Sequence, residues 1–139
     1  MVQLIVGNKG KGKTKQLLDK VNSEVKNITG TIAYLDKSTK HMYELNNKVR
    51  LIDVSQFMIE NASEFLGFIC GVISQDHDLQ QMYFDSFLKI SCLEGADITD
   101  TVAKLEKISE AMGVDFILSV SQDESELPEA VKKNIIISL

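Results

Sequence analysis

Val2-Gln3-Leu4-Ile5-Val6 runs directly into Gly7-Asn8-Lys9-Gly10-Lys11-Gly12-Lys13-Thr14, and residues 13–26 follow with apolar side chains at Leu17, Leu18, Val21 and Val25. The first run is short, apolar and ended by glycine, which predicts a buried strand. The spacing of three and four in the last segment predicts a helix. Between them, G-x-x-x-x-G-K-[ST] is satisfied at every fixed position, in the strand-loop-helix context where that spacing has a mechanism. Gly7, Gly10 and Gly12 let the backbone bend around phosphate oxygens with its amides turned inward. The helix N-terminus adds its partial positive charge. Asn8, Lys9 and Lys11 complete the loop, and the two lysines raise the local potential. Lys13 is spaced to reach β- and γ-phosphates, and the Thr14 hydroxyl to ligate Mg²⁺. The plain alternative is a flexible basic turn ahead of a helix.

The rest of the chain repeats the alternation. Residues 31–35, 49–54, 79–84, 116–120 and 135–137 read as further strands. Residues 60–75, apolar at nearly every position from Phe65 to Ile73, predict a buried helix, and Gly67 and Gly71 in G-x-x-x-G spacing predict its close approach to a sheet. Residues 97–112 place Ile98, Val102, Leu105, Ile108 and Met112 on one helical face, with Asp97 or Thr99 as cap and Gly113 as stop. Shorter helices are expected at residues 41–45, after Asp85-Ser86, and within 127–133, where Pro128 suits a first turn. Strands separated by helices imply right-handed crossovers and a parallel sheet covered on both faces. The expected fold is an α/β three-layer sandwich with a mainly parallel sheet of about six strands, forming a single domain over residues 1–139.

The 139 residues carry 15 Lys+Arg against 20 Asp+Glu, a net charge of −5, so no basic face dominates and a general role on nucleic acid is disfavoured. At 44% hydrophobic and 25% charged, the chain can build a core. Cys70 and Cys92 are too few for a disulfide scaffold and are expected as buried thiols. With His41 and His77 they have no zinc-site spacing, and both histidines are expected at the surface. The longest mostly apolar run, residues 65–73, is far shorter than the ~20 residues that span a bilayer. Residues 1–7 lack a basic leader. The expected location is cytoplasmic.

A phosphate loop needs a second Mg²⁺ anchor, an acid at the end of a nearby apolar strand. Asp85 ends the strand over residues 79–84 and is the candidate; the alternative is a strand-terminal turn residue. No Asn-Lys-x-Asp follows a later strand, and Ser86-Phe87-Leu88 follows Asp85 where Asp-x-x-Gly would mark a GTPase, which favours ATP.

With these residues in place, the chain resembles the P-loop ATPases with a RecA/KaiC-like core, over nearly its whole length. Tyr83-Phe84-Asp85-Ser86 is similar to the Asp-Ser that ends the family's Walker B strand. Leu118-Ser119-Val120-Ser121-Gln122 is similar to the segment that ends in a γ-phosphate-sensing residue, which makes Gln122 the first choice for that role and Ser121 the second. The resemblance implies the sheet order 6-1-5-4-2-3. It also implies a catalytic Glu after the second strand, where this chain has Tyr34-Leu35-Asp36-Lys37-Ser38-Thr39. Asp36 offers a carboxylate there, and would equally serve as a cap or turn acid. The family's arginine finger has no evident counterpart, because the single arginine, Arg50, falls at the start of the third strand. What the resemblance implies is a Mg²⁺-dependent ATP-binding protein, a slow or partner-stimulated ATPase. A second copy or a protein partner would then complete its site. A non-hydrolysing nucleotide sensor or assembly module is the alternative. A small-molecule kinase is disfavoured by one arginine and little spare chain for a lid.

Overall fold

Period-two alternation divides the strands' apolar residues between two cores on opposite faces of one sheet. The structure, a computed structural model, describes residues 1–139. Its strands are β1 (Val2–Val6), β2 (Thr31–Asp36), β3 (Val49–Asp53), β4 (Leu79–Phe84), β5 (Asp115–Val120) and β6 (Ile135–Ser138). All pairings are parallel, in the order β3-β2-β4-β5-β1-β6. Read from the other edge, this is the order stated above. The helices are α1 (Lys13–Glu24), α2 (Ala62–Ser74), α3 (Phe87–Ile90), α4 (Thr99–Met112) and α5 (Glu129–Lys132).

On one face, Ile5, Ile32, Tyr34, Tyr83 and Ile117 pack against Leu17, Leu18 and Val21 of α1. On the other, Leu4, Leu35, Met82, Phe84, Phe116 and Leu118 pack against α2, α3, α4 and α5. The larger core holds four aromatic rings: Phe84 lies 5.5 Å from both Phe65 and Phe116, and 6.2 Å from Phe87. Such pairs contribute about 0.5–1.5 kcal/mol each beyond area burial. Phe84 and Phe87 stand on either side of Asp85 in sequence, so the end of β4 rests on this aromatic cluster. No helix is long and apolar enough to cross a membrane.

Local chemistry fixes where the helices begin and end. Asn61 caps α2 by accepting from the Glu64 amide at 2.9 Å, while Glu64 accepts from the Glu60 amide at 2.7 Å. α4 stops at Gly113, whose φ is 68°. Residues 41–45 form a single tight turn, Met42–Glu44.

Four expectations are corrected. α2 is not buried all round: Phe65, Ile69 and Ile73 face the core at intervals of four, and Gly67, Cys70 and Gly71 face solvent. The two glycines therefore do not bring α2 close to the sheet, and a Cβ at either meets nothing within 4 Å. Both cysteines are exposed. Met112 is 60% exposed, because α4 turns its last residue past the edge of the core.

Gly30, ahead of β2, is the glycine with no room for a side chain: an added Cβ would lie 2.1 Å from the Asp78 carbonyl oxygen. Gly30→Ala is expected to cost about 1–3 kcal/mol by overpacking. Gly67→Ala is expected to add about 0.5–1 kcal/mol by removing backbone freedom from a helix interior. Urea unfolding of both variants checks this, and a loss of stability in Gly67→Ala would restore the close-approach reading of the G-x-x-x-G spacing.

Candidate functional site

In a parallel sheet every strand presents its C-terminal end at the same edge, where α/β proteins bind ligands. Here that edge collects the glycine loop after β1, Asp36 at the end of β2, Asp85 after β4 and Ser121 after β5. Register explains which groups meet. Leu35 pairs with Phe84, so Asp36 and Asp85 emerge side by side. Phe84 pairs with Leu118, so Asp85 also stands beside Ser119. Val6 pairs with Val120, and the Gly7 amide donates to the Gln122 carbonyl at 2.9 Å.

The loop from Gly7 to Thr14 takes a shape only glycine adopts freely at three points, Gly7 with φ 152°, Gly10 with φ 83° and Gly12 with φ 93°. Gly12 is the N-cap of α1 and has no side chain to cover the first-turn amides. Lys13 is buried, and its Nζ donates to the Asn8 carbonyl at 3.1 Å, inside the loop. Burial lowers the Lys13 pKa, and the Asp85 charge opposes that. Lys9 and Lys11 are exposed.

Asp85 is buried at 3% exposure and accepts three hydrogen bonds. Thr14 Oγ1 donates to its Oδ1 at 3.2 Å, Ser119 Oγ to the same oxygen at 3.1 Å, and the Tyr34 hydroxyl to Oδ2 at 2.8 Å. Ser119 Oγ accepts in turn from the Ser86 amide at 3.1 Å. Burial, and then the neighbouring Asp85 charge, push the Tyr34 phenol far above its ordinary range, so it is a fixed donor. Ser86 holds φ 54°, an uncommon conformation for a residue with a Cβ.

A cavity of about 600 Å³ lies over this edge and has no hydrophobic residue in its wall. Lys9, Lys13 and Lys37 supply its positive charge, Thr14, Ser86, Ser119 and Ser121 its hydroxyls, and Asp85 its acid. That lining suits phosphate groups and a hydrated cation rather than an aromatic base. Gln122 lines the adjoining cavity with Asn8, Lys9, Lys37 and Ser121. Lys13, Thr14 and Asp85 thus converge, Ser121 joins them, and Gln122 stands one cavity away. Arg50 lies at the opposite edge of the sheet, paired with Asp76 at 3.1 Å.

Asp36 is 2% exposed. Its Oδ1 accepts from the Lys37 amide at 2.7 Å, and its Oδ2 is buried with no partner. Burial raises the Asp36 pKa, and the Asp85 charge adds to the rise; the Lys37 amide, His41 and the Lys37 ammonium oppose it. His41 is half-buried rather than a free surface residue, and reaches the same corner.

Sequence reasoning missed Tyr34, Ser119, Lys37 and His41. The first two are apparent only through the register of β2 and β5 against β4. Lys37 was legible as the residue directly after the second strand, and His41 gave no local signal. Compared with family models and with curated proteins, the chain matches none.

The folded state holds the Asp36 proton more tightly than the unfolded chain does. Stability therefore falls as pH rises from the unfolded carboxylate's value, about 4, through the raised folded value. Asp36→Asn is expected to raise the unfolding free energy near neutral pH, with the gain vanishing below about pH 4. Urea titrations across that range measure it; a variant less stable than wild type at neutral pH would mean that the carboxylate is satisfied in the fold.

Proposed function

We propose that this chain is a cytoplasmic, Mg²⁺-dependent ATP-binding protein with a P-loop, RecA/KaiC-like architecture, and a slow or partner-stimulated ATPase. The observation that carries the reading is the approach of Thr14 Oγ1 to Asp85 Oδ1 at 3.2 Å beside a buried Lys13. One hydroxyl and one carboxylate oxygen, side by side at the mouth of a glycine loop, are a donor set that fits Mg²⁺. The strand order and the placing of Asp85 two strands away from β1 support the same reading. The choice of ATP over GTP rests on the missing GTPase motifs.

In this reading, Lys13 exchanges the Asn8 carbonyl for β- and γ-phosphate oxygens, and the amides of Gly10 to Thr14 take the remaining charge. Thr14 and Asp85 hold the cation, which neutralises charge developing between the β- and γ-phosphates when bound. Tyr34 and Ser119 keep the Asp85 carboxylate aimed. Ser121 and Gln122 are the candidates for contact with the γ-phosphate, and Lys37 is an additional cation on the same wall. Asp36 is the available acid to orient an attacking water.

A specific observation favours the alternative of a non-hydrolysing sensor or assembly module. Asp36 is outside the wall of the phosphate cavity, and Arg50 is at the far edge of the sheet. Water orientation and an arginine would then come from a second copy or a protein partner. The two readings share the nucleotide site and differ in turnover.

Calorimetric titration with Mg-ATP should give binding to wild type and at least tenfold weaker binding to Lys13→Ala, since hydrogen bonds from a charged donor contribute about 1.5–3 kcal/mol. Equal affinity in the two proteins contradicts the proposal. Phosphate release by the isolated protein is expected at or below about 10⁻² s⁻¹, the scale of P-loop hydrolysis without an added partner. No release with binding retained selects the sensor reading.

A further inference from the structure

The corner behind the phosphate cavity holds an unexplained combination of groups. Asp36, His41 and Asp85 each offer one ligand atom, and the three atoms lie within 4.8 Å of one another. Two of the three residues are buried carboxylates, at 2% and 3% exposure. Like charges in such a place are costly unless something between them is positive. Lys13 fills that role only in part: its Nζ is hydrogen-bonded to the Asn8 carbonyl, and its charge acts on Asp85 but is not among those acting on Asp36. Lys37 donates its backbone amide to Asp36 Oδ1, and its ammonium acts on that carboxylate by charge alone, with no hydrogen bond to it. Asp36 Oδ2 is left buried with no partner.

We propose that Asp36, His41 and Asp85 form a site for one divalent first-row transition-metal ion, of the Mn²⁺ or Zn²⁺ class, which fills without nucleotide. Two carboxylate oxygens and an imidazole nitrogen are the mixed donor set such ions take, whereas Mg²⁺ prefers oxygen alone and keeps its waters. Bonds of about 2.0–2.2 Å require the three groups to draw in by less than about 1 Å each. The surroundings are those of a metal site. Glu44 Oε1 lies 3.4 Å from His41 Nδ1; with the proton on Nδ1 toward Glu44, Nε2 is the nitrogen left for a metal. Tyr34 holds Asp85 Oδ2 with one hydrogen bond, so one lone pair of that oxygen remains free. On its His41 side the cluster borders an open cavity of about 500 Å³ whose wall includes Thr14, Asn22, His41 and Glu44.

The site does not need the nucleotide reading, with which it shares Asp85 and Asp36. A bound dication here would fix the turn after β2 to the end of β4 through His41.

Mn²⁺ binding to the nucleotide-free protein, followed by loss of the free-ion EPR signal, tests the proposal. Wild type and Lys13→Ala are expected to bind one equivalent. His41→Ala and Asp36→Asn are expected to bind at least tenfold more weakly, with circular dichroism confirming that both are folded. Wild-type affinity in folded His41→Ala and Asp36→Asn overturns the site. Binding by wild type only in the presence of ATP overturns it too, and assigns the cation to the phosphates. A protein that binds Mn²⁺ through His41 but takes no ATP would refute the nucleotide reading and leave this one standing.

Discussion

The carboxylate of Asp85 ties the end of the central strand to the start of the first helix. Its hydrogen bonds reach Thr14 on α1, Tyr34 on β2 and Ser119 on β5, so three elements distant in sequence meet at one anion. A buried charge with fewer partners would cost several kcal/mol. The surrounding fold is arranged so that it has three. The aromatic rings of Phe84 and Phe87 fix the backbone on either side, and the parallel register delivers Tyr34 and Ser119 to the two carboxylate oxygens. The glycine loop then has a fixed acid to face.

One position beside this network runs against stability. Asp36 stands next to Asp85 with an oxygen that nothing in the fold satisfies. An apolar or amide side chain there would spare a second buried carboxylate. Departures of this kind from local consistency concentrate at functional sites. Both proposals give this acid a purpose: orienting water at a γ-phosphate in the first, ligating a metal in the second.

Much of this was legible because the signals were local. The loop from Gly7 to Thr14 is a contiguous spacing, and Asp85 is read from the end of an apolar strand. The same strand pattern yields the layers, whereas the sheet order was implied by the resemblance alone. What escaped the sequence required distance. Tyr34 and Ser119 become partners of Asp85 only through pairing between β2, β4 and β5, and His41 only through the path of a short turn. The misreadings have a different cause. Gly67, Cys70 and Gly71 lengthen an apolar run without adding side chains that demand burial, and α2 needs only Phe65, Ile69 and Ile73 to hold its face. Arg50 was placed correctly at the far end because strand direction alone decides which edge a residue occupies.

The central claim is that the glycine loop and Asp85 together receive a nucleotide and its cation. A crystal structure grown with Mg²⁺ and a non-hydrolysable ATP analogue tests it most directly. The account predicts phosphates enclosed by the Gly7 to Thr14 backbone, Lys13 Nζ released from the Asn8 carbonyl onto them, and Mg²⁺ between Thr14 and Asp85. A loop still closed on itself at saturating analogue, with Lys13 bound to Asn8, would contradict it.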